Sequence, residues 1–566
     1  MTESAKKTAV EKPALRLAIM VDSLLVNKPI YDFIQWAAKQ DQLFLSHLII
    51  TKPSNNGNIN QCHPFRSLLK RNIYDDVSNG FFSAVYCMEK MLLKTNNRYK
   101  HNYEKFNLSS LTDNIIPIYP INSNTHYRLF SNTEIKRVKD LDLDIIVKYS
   151  EHIFVGDIYN SARFGIISMQ YGNNRYNIEK ISGFWEVYSK QDSTSFAIKQ
   201  LTEKIDGTKT LMRGQFRTQV FFLLNQAALH EKANQYLKML LIKIAEQGML
   251  PDHLPELPCS SLTYDIPKLH NSLYYLADLY YRLFVKALYR FLNYQRQWNV
   301  AFTYSHWRSA VLCQSVELKN PPNHFLADPF VISRFGKEYC FAEDYDYAGK
   351  KGCIVAYRIH ENTSKFIGVA IDEPFHLSFP YLFEFQGDLY MCPETGEKKE
   401  IRVYKCVEFP CRWALESILM KDVAAVDTLL FEKQGKWWML TNIDYSNTGD
   451  YGQTLSIFYA DSPLSNNWKT HPKNPIYIDS SIARNAGLLR DGERLFRVAQ
   501  AQGFDIYGKK TSLFEMTDIN EFNFSETYVT EINPSFKKGI MGTHHFYSNG
   551  IVTVFDYLDY EFIKPV

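Results

Sequence analysis

The chain has 566 residues, enough for about two to four domains that each bury a core. Its 64 basic and 61 acidic residues leave a formal charge of only +3, which argues against a protein that binds nucleic acid by neutralising phosphates. Aromatic residues make up 15% of the chain and charged residues 22%, a composition that excludes extensive disorder.

The cysteines and the N-terminus indicate a compartment. The nine cysteines form no C-x-x-C pair, so we interpret them as buried reduced thiols rather than as a disulfide framework or a zinc site, and we expect no metal. The polar start MTESAKKTAVEKPA has no apolar core of a secretory signal, and no uncharged apolar run has the roughly 18 residues of a membrane span. These features predict a cytoplasmic protein, with attachment to the inner membrane surface left open.

The N-terminal part alternates apolar runs with a helical pattern. After a tail at 1–14 that is predicted to be disordered, the runs LRLAIMVD and LFLSHLIIT flank the helical stretch YDFIQWAAKQ. Two further apolar runs lie at 144–150 and 165–170. Buried strands without alternating polarity predict a parallel sheet, and therefore an α/β domain over 15–217. No G-x-G-x-x-G follows the first strand, so the dinucleotide-binding fingerprint is absent.

Residues 218–295 have helical periodicity, interrupted by PDHLPELP, and are predicted to form a helical connector. Arg282, Lys286 and Arg290 recur every four residues on one face of an aromatic-rich helix. Such a face suits an anionic membrane surface, which makes 272–292 a candidate for peripheral membrane contact. The alternative is a helix packed between two domains with its basic side in water.

The C-terminal part, 296–566, contains a repeat of an apolar run, a turn with glycine and a second apolar run. The turn glycines lie 51, 48, 57 and 58 residues apart, and they are Gly336, Gly387, Gly435, Gly492 and Gly550. Phe-Gly, Gln-Gly, Asp-Gly and Asn-Gly turns predict that each copy is a β-hairpin. Five hairpins within about 270 residues predict an all-β five-bladed β-propeller, with a β-sandwich as the alternative.

The repeat also predicts which side chains meet at one mouth of the propeller channel. Positions eight before and seven after each turn glycine lie at the same end of a hairpin, because the second strand retraces the first. Counting back gives Asp328, Phe379, Asp427, Arg484 and Gly542, with His544 two residues later. Counting forward gives Glu343, Glu394, Asn442, Ala499 beside Gln500, and Tyr557 beside Asp556.

Three of these carboxylates suit glycosyl chemistry. One of Asp328, Glu394 and Asp427 would act as base, another as acid with a raised pKa, and the third carboxylate or a cation would set the two apart. The alternative for the aspartates is a turn cap, and for Arg484 a partner of one of these carboxylates. The residues predicted to bind substrate are Glu343, His376, Asn442, Arg484, Arg497, Gln500 and His544. The aromatic residues predicted to wall the site are Phe341, Tyr381, Trp437 and Trp438, with blade core as the alternative for the tryptophans.

The stretches ADPF, HLSFPYLFE, PET, SPLSNNWKTHPKNP, ARNAG, FRVAQ and GTHHF resemble the N-terminal domain of plant glucosamine inositolphosphorylceramide transferases and their bacterial relatives. The resemblance covers about 298–566, and that domain is similar to the five-bladed propeller of glycoside hydrolase family 43. It implies a sugar-directed site in which Asp328 is the base, Asp427 tunes the pKa and Glu394 is the acid. Family 43 usually places its acid in a different local motif.

The segment that begins GIISMQYGNNRYNIEKISGFW resembles the methionyl-tRNA formyltransferase family, and the resemblance covers about 15–225. That family carries Asn-x-His in its catalytic loop and a later Asp. Here Ser168 and Gln170 stand in the Asn and His positions, and Asp206 matches the Asp. Because glutamine does not titrate, we expect no formyl transfer by the usual route and no use of 10-formyltetrahydrofolate.

Together these features predict a carbohydrate-active enzyme, of glycosyltransferase type, in surface polysaccharide or glycolipid biosynthesis. Its substrate would be a sugar or glycolipid at the acidic rim of the propeller. Three alternatives stay open: a family-43-like glycoside hydrolase, a non-catalytic glycan-binding protein, and a formyltransferase that acts on a sugar-nucleotide amine. The donor, the acceptor and the oligomeric state do not follow from the sequence.

Overall fold

A computed structural model describes most of the chain. The described residues are 14–52, 73–121, 127–150, 152–172, 181–203, 208–256, 266–446 and 448–562. The chain divides into two compact units, the first comprising Met1–Ser189, Thr194–Gly214 and Gln219–Asp278, the second comprising Lys190–Ser193, Gln215–Thr218 and Leu279–Val566.

The first unit is built on a mixed β-sheet. Its strands are β1 Leu15–Val21, β2 Leu25–Asn27, β3 Leu43–Thr51, β4 Lys105–Asn107, β5 Ile115–Ile118, β6 Tyr127–Leu129, β7 Ile145–Lys148, β8 Ile153–Val155, β9 Ile166–Tyr171, β10 Ser193–Gln200 and β11 Lys209–Arg217. The order β11-β10-β9-β7-β1-β3-β5 makes a seven-stranded sheet, and β2 with β4 and β6 with β8 form two small ones.

The pairing directions correct the predicted fold class. Neighbours from β5 to β9 pair in parallel, so the parallel arrangement predicted for the four apolar runs is confirmed. Strand β10 pairs antiparallel with β9, which makes the whole sheet mixed. The resemblance to a Rossmann-like formyltransferase domain stays a prediction.

Six helices lie among the described residues: Lys28–Ala37, Ile73–Leu93, Asn132–Lys139, Phe184–Tyr188, Phe222–Gln247 and Leu269–Phe291. The helix Phe222–Gln247 buries side chains along most of its length and ends at Gly248, whose φ of 73° is left-handed. Within the described parts of the chain, no helix is both long and apolar enough to cross a membrane.

The second unit contains five sheets, which we call blades 1 to 5. Blade 1 comprises β14 His324–Arg334, β15 Lys337–Asp346, β16 Lys351–His360 and β17 Thr363–Ile371; blade 2 comprises β18 Ser378–Phe385, β19 Asp388–Glu394, β20 Glu400–Glu408 and β21 Arg412–Lys421. Blade 3 comprises β22 Ala425–Lys433, β23 Lys436–Ile443, β24 Thr454–Ala460, β25 Lys469–Thr470 and β26 Tyr477–Ile478; blade 4 comprises β27 Arg484–Asp491, β28 Arg494–Gly503, β29 Ile506–Ile519 and β30 Phe524–Ile532. Blade 5 comprises β31 Phe546–Ser548, β32 Thr553–Phe562, β12 Tyr294–Thr303 and β13 Val316–Leu318.

The blades close into a ring. The first strands of successive blades contact one another in the order β14, β18, β22, β27, β31 and back to β14. The last hairpin of the chain is completed by β12, the first long strand of the propeller, which pairs antiparallel with β32. The predicted five-bladed propeller is confirmed, and a β-sandwich is excluded because two packed sheets have no such cyclic order.

A bulge on the first strand of each of blades 1 to 3 positions the residues that matter for the site. The strand register shifts near Asp328, Phe379 and Asp427. These residues have φ values of 51°, 47° and 50°, in the left-handed region that side chains with a Cβ rarely adopt. A bulge re-aims a side chain out of the regular alternation of a strand. The two aspartates therefore leave the sheet face and point to the cluster described below.

The aromatic residues predicted to wall a sugar site lie instead in the blade core. Phe341, Tyr381, Trp437 and Trp438 are buried in one cluster with side chains of blades 1 to 4. The Tyr381 hydroxyl donates to the Leu430 carbonyl oxygen at 2.6 Å. That part of the prediction is wrong, because strand alternation turns these rings between the blades.

Candidate functional site

Ionisable side chains from all five blades meet in the propeller, and we call this group the acidic cluster. Its members are Asp328, Glu343, Glu394, Asp427, Arg484, His544 and Asp556. Glu394 and Arg484 retain slight exposure, while the other members are buried. The cluster brings together five carboxyl groups and only two cationic groups.

Arg484 links two of the blades that supply carboxyl groups. Its Nε lies 2.5 Å from Asp427 Oδ2, and its terminal nitrogen lies 3.9 Å from Glu394 Oε2. Burial opposes the charge on the guanidinium, but Asp427, Tyr507 and Glu394 raise the pKa of Arg484 above its ordinary value. Arg484 therefore keeps a fixed positive charge between the carboxyl groups of blades 2 and 3.

His544 lies between two carboxyl groups. Its Nδ1 is 2.6 Å from Asp556 Oδ2, and its Nε2 is 3.5 Å from Asp328 Oδ1. The imidazole stacks on the Trp298 ring with centroids 3.8 Å apart. Burial lowers the pKa of His544, but Asp556 and Asp328 raise it more, so the net shift is upward.

Asp556 is held by backbone donors as well as by the imidazole. The backbone N–H groups of His544 and His545 donate to Asp556 Oδ1 at 3.0 and 2.9 Å, and that of Asp328 donates to Oδ2 at 3.2 Å. Burial raises the pKa of Asp556, but His544 and these donors bring it below its ordinary value. Asp556 is therefore the carboxylate that stays ionised.

Burial raises the pKa of the other four carboxyl groups. It brings the pKa of Asp328 and that of Asp427 to about 7, despite the attraction of His544 for the first and Arg484 for the second. It also raises the pKa of Glu343 and of Glu394, and nearby carboxylates add to both shifts. The cluster thus contains both proton-bearing and ionised carboxyl groups near neutral pH, as acid–base chemistry requires.

One subset of the cluster has the spacing of a cation site. Ligand atoms of Asp328, His544 and Asp556 all lie within 4.8 Å of one another. Two carboxylates and an imidazole can bind a divalent cation. His544 lies 2.6 Å from Asp556 and already balances the charge of that carboxylate. The three side chains can therefore pack together without a bound cation.

The predicted substrate-binding residues fall into two groups. Glu343, Arg484 and His544 belong to the cluster, His376 Nε2 lies 3.7 Å from Glu343 Oε1, and Gln500 pairs across β27 and β28 with Arg484. Asn442 is buried, and its amide donates to the carbonyl oxygens of Thr454 and Ala483. Arg497 is also buried, in an ion pair with Glu526.

Two aromatic residues beside the cluster were not predicted. The Tyr507 ring lies 5.0 Å from the Arg484 guanidinium carbon and 5.5 Å from the His544 ring, and Trp298 stacks on His544. Tyr507 follows the β28–β29 turn and Trp298 lies on the closing strand β12, so neither has a counterpart in the hairpin repeat. To place Trp298 beside the cluster, the sequence analysis would have had to predict that β12 pairs with β32 and closes the ring.

The residues matched to the formyltransferase loop lie in the first unit. Ser168 and Gln170 are on β9, where the Ser168 hydroxyl donates to the Lys148 carbonyl oxygen at 3.3 Å. Asp206 lies outside the described residues. A cleft in this unit is lined by polar side chains that include Lys148, Ser168, His230 and Asn234. The Lys148 ammonium group donates to the Ser150 carbonyl oxygen within it.

The second unit is thus a five-bladed propeller with a buried cluster of titratable groups contributed by all of its blades. A family model described as glucosamine inositolphosphorylceramide transferase 1, N-terminal, matches residues 291–546. The chain is 35% identical over 224 residues to glucosamine inositolphosphorylceramide transferase 1 of Oryza sativa subsp. japonica, covering 38% of this chain and 30% of that one. The relative of the same name in Arabidopsis thaliana is 34% identical over 237 residues, covering 40% of this chain and 30% of that one. The match therefore spans less than a third of the relatives' own length.

Two solved structures with some similarity are an arabinofuranosidase and an arabinanase. The catalytic domain of Coprinopsis cinerea GH62 α-L-arabinofuranosidase is 13% identical, with a TM-score of 0.32, and the similarity covers 45% of this chain and 84% of that one. Penicillium chrysogenum α-L-arabinanase is 14% identical, with a TM-score of 0.31, over 46% of this chain and 80% of that one. At these scores the assignment of the fold rests on the ring of blades itself.

Proposed function

We propose that the protein is a carbohydrate-active enzyme of glycosyltransferase type that acts in glycolipid or surface polysaccharide biosynthesis, with its sugar site at the acidic cluster. The observation that carries the proposal is the convergence of Asp328, Glu394 and Asp427 from three blades around Arg484 and His544. Support also comes from the name of these relatives, glucosamine inositolphosphorylceramide transferase 1, which describes a transferase acting on a sugar and a lipid.

The proposed roles follow from the partners of each carboxyl group. Asp328, beside the positive His544, is the base that accepts a proton from the acceptor hydroxyl. Glu394 is the acid that donates to the leaving group, because burial raises its pKa and it retains slight exposure. Asp427, paired with Arg484, sets the ionisation of Glu394. Tyr507 is the aromatic surface available for stacking against a sugar ring.

Hydrolysis of the family-43 kind is the second candidate, and one contact bears on it. An inverting hydrolase keeps its two carboxyl groups roughly 6.5–9.5 Å apart to admit a water molecule. Glu394 and Asp427 both approach Arg484, at 3.9 and 2.5 Å, so these two carboxyl groups share one cation. An inverting mechanism would use Asp328 and Glu394, the proposed base and acid.

Product analysis with the purified protein tests the proposal. The protein is incubated with a membrane lipid extract and a panel of sugar nucleotides, and products are identified by mass spectrometry. We expect a lipid whose mass increases by one sugar, and a loss of at least about a hundredfold in rate for Glu394→Gln. Asp461→Asn, an exposed carboxyl group elsewhere in the propeller, is the matched control. Release of free sugar without a glycosylated product would favour hydrolysis, and no product from any donor would contradict catalysis.

A further inference from the structure

In the C-terminal half of the helix Leu269–Phe291, apolar side chains face solvent and basic side chains pack against the protein. An ordinary surface helix has the reverse arrangement. Tyr281, Phe284, Leu288 and Phe291 recur at spacings of three and four, so they form one stripe, which we call the apolar stripe. Tyr281 is 67%, Phe284 64% and Phe291 83% exposed. A surface helix normally turns such a stripe toward the core of its own protein.

Two basic residues of the same helix segment pack against the protein. Lys286 Nζ lies 2.6 Å from Asp505 Oδ2, and the Arg282 guanidinium lies 5.0 Å from the Phe504 ring. Arg282 and Lys286 lie four residues apart on the side of the helix away from the stripe. The orientation of the helix is therefore fixed by its polar side, which keeps the apolar stripe toward solvent.

The stripe and its flanks fit a lipid surface. From Tyr281 to Phe291 the stripe is about 15 Å long at 1.5 Å per residue, and it combines tyrosine, phenylalanine and leucine, as helices that lie in the interface of a bilayer do. No acidic residue lies on it, and Arg290, next to Phe291 at the end of the stripe, is exposed and basic. This pattern complements the negative charge of an anionic leaflet.

The helix contacts the hairpin that reaches the acidic cluster. The hairpin tip, Phe504 and Asp505, contacts Arg282 and Lys286, and two residues further along Tyr507 lies over Arg484. A bilayer bound at the stripe is thus linked to the cluster by one short turn. If the proposed glycolipid substrate is correct, this link keeps a membrane-embedded acceptor within reach of the enzyme.

We propose that the apolar stripe docks the protein onto an anionic lipid bilayer, lying in the plane of the interface. The contact is made by the stripe, with Arg290 beside its last residue meeting the headgroups. It differs from the contact that the basic spacing alone suggests, because Arg282 and Lys286 face the protein.

Flotation with vesicles tests this proposal on the full chain. The probes are vesicles of phosphatidylcholine with and without phosphatidylglycerol, and no sugar substrate is present, so the result is independent of the proposed function. The wild type should float with vesicles that contain phosphatidylglycerol and less with phosphatidylcholine alone. Tyr281→Ser/Phe284→Ser/Phe291→Ser should reduce the bound fraction at least about tenfold while keeping the wild-type melting temperature.

A matched control removes equally exposed aromatic rings elsewhere. Phe335→Ser/Phe522→Ser lies on hairpin turns of blades 1 and 4, and it should float as the wild type does. Wild-type protein that stays at the bottom with both vesicle types would overturn the proposal. So would equal flotation of the triple variant, or a wild-type dimer that dissociates in the triple variant without any lipid binding, because a second copy would then cover the stripe.

Discussion

Arg484 is the residue on which the charge balance of the acidic cluster depends most directly, because it is the guanidinium that contacts both Asp427 and Glu394. Removing one partner of a buried ion pair leaves the other charge uncompensated, at a cost of about 3 kcal/mol or more. We therefore expect Arg484→Met to lower the free energy of unfolding by about 3 kcal/mol, measured by urea denaturation.

Two further variants separate this effect from a simple loss of a side chain. Arg484→Met/Asp427→Asn should recover part of the loss, because the carboxylate that needs the cation is then also removed. Arg494→Met, which breaks an exposed pair with Glu515, should cost no more than about 1 kcal/mol. A double variant that is less stable by the full sum of the two single losses would contradict the coupling between Arg484 and Asp427.

The raised pKa values of Asp328 and Asp427 make stability depend on pH. Each has a pKa of about 7 in the folded protein and an ordinary value of 3.8, so between these values the folded state binds more protons than the unfolded state. The stability that these groups contribute is therefore fully present below about pH 4 and is lost as the pH rises toward 7. Asp427→Asn removes one such group.

Thermal unfolding between pH 4 and pH 8 measures this directly. We expect the melting temperature of Asp427→Asn to gain on that of the wild type as the pH rises, because an amide has no proton to lose. Asp461→Asn, which changes an exposed carboxyl group, should follow the wild-type profile. Parallel profiles for Asp427→Asn and the wild type would show that the pKa of Asp427 is the same in the folded and unfolded chain.

Among the elements, the first strand of each blade has the strictest local requirements. In blade 4, Gly487 has φ 134°, and a Cβ there would collide with the Phe546 carbonyl oxygen of blade 5. At the hairpin turn of blade 3, Gly435 has φ 72°, but a Cβ there meets no atom within 4 Å. The two glycines thus separate backbone strain from a steric clash.

Alanine substitution at each position tests this difference. Gly435→Ala should cost only the left-handed strain of about 1 kcal/mol in the free energy of unfolding. Gly487→Ala should cost at least about 2 kcal/mol more, because it also forces blades 4 and 5 apart. Equal losses in urea denaturation would mean that the contact between β27 and β31 tolerates displacement.

Most of the correct predictions about the strands came from the hairpin repeat. The turn glycines predicted all five hairpins, because a positive φ demands glycine or a few polar residues whatever the rest of the blade contains. The same counting located Asp328 and Asp427, which lie on bulges that recur at the same place. The separate prediction of aromatic walls failed for Tyr381 and Trp437, because both faces of a blade pack against neighbouring blades and bury their rings. The counting missed Tyr507 because that residue lies at the start of β29, outside the first hairpin of the blade.

The stability of the propeller depends on closure of its ring of blades. Strand β12 completes blade 5 by pairing with β32 along its whole length. Without it, β32 would have an unpaired edge and blade 5 would be left with a single short hairpin.

Truncation tests that dependence. A fragment that begins at residue 279 keeps β12, and we expect it to unfold in a single cooperative transition. A fragment that begins at residue 304 lacks β12, and we expect it to aggregate or to unfold without cooperativity, as followed by circular dichroism. A cooperative transition of the shorter fragment with the melting temperature of the longer one would contradict closure by β12.

We propose that the acidic cluster acts on sugars during synthesis of a glycolipid or surface glycan. Mass spectrometry of the lipids and surface glycans tests it most directly, in a strain that lacks the protein and is complemented with the wild type, Asp328→Asn or Asp461→Asn. We predict that one sugar is missing from a glycan without the protein, that the wild type and Asp461→Asn restore it, and that Asp328→Asn does not. Unchanged glycans in the strain that lacks the protein, or full restoration by Asp328→Asn, would contradict the claim.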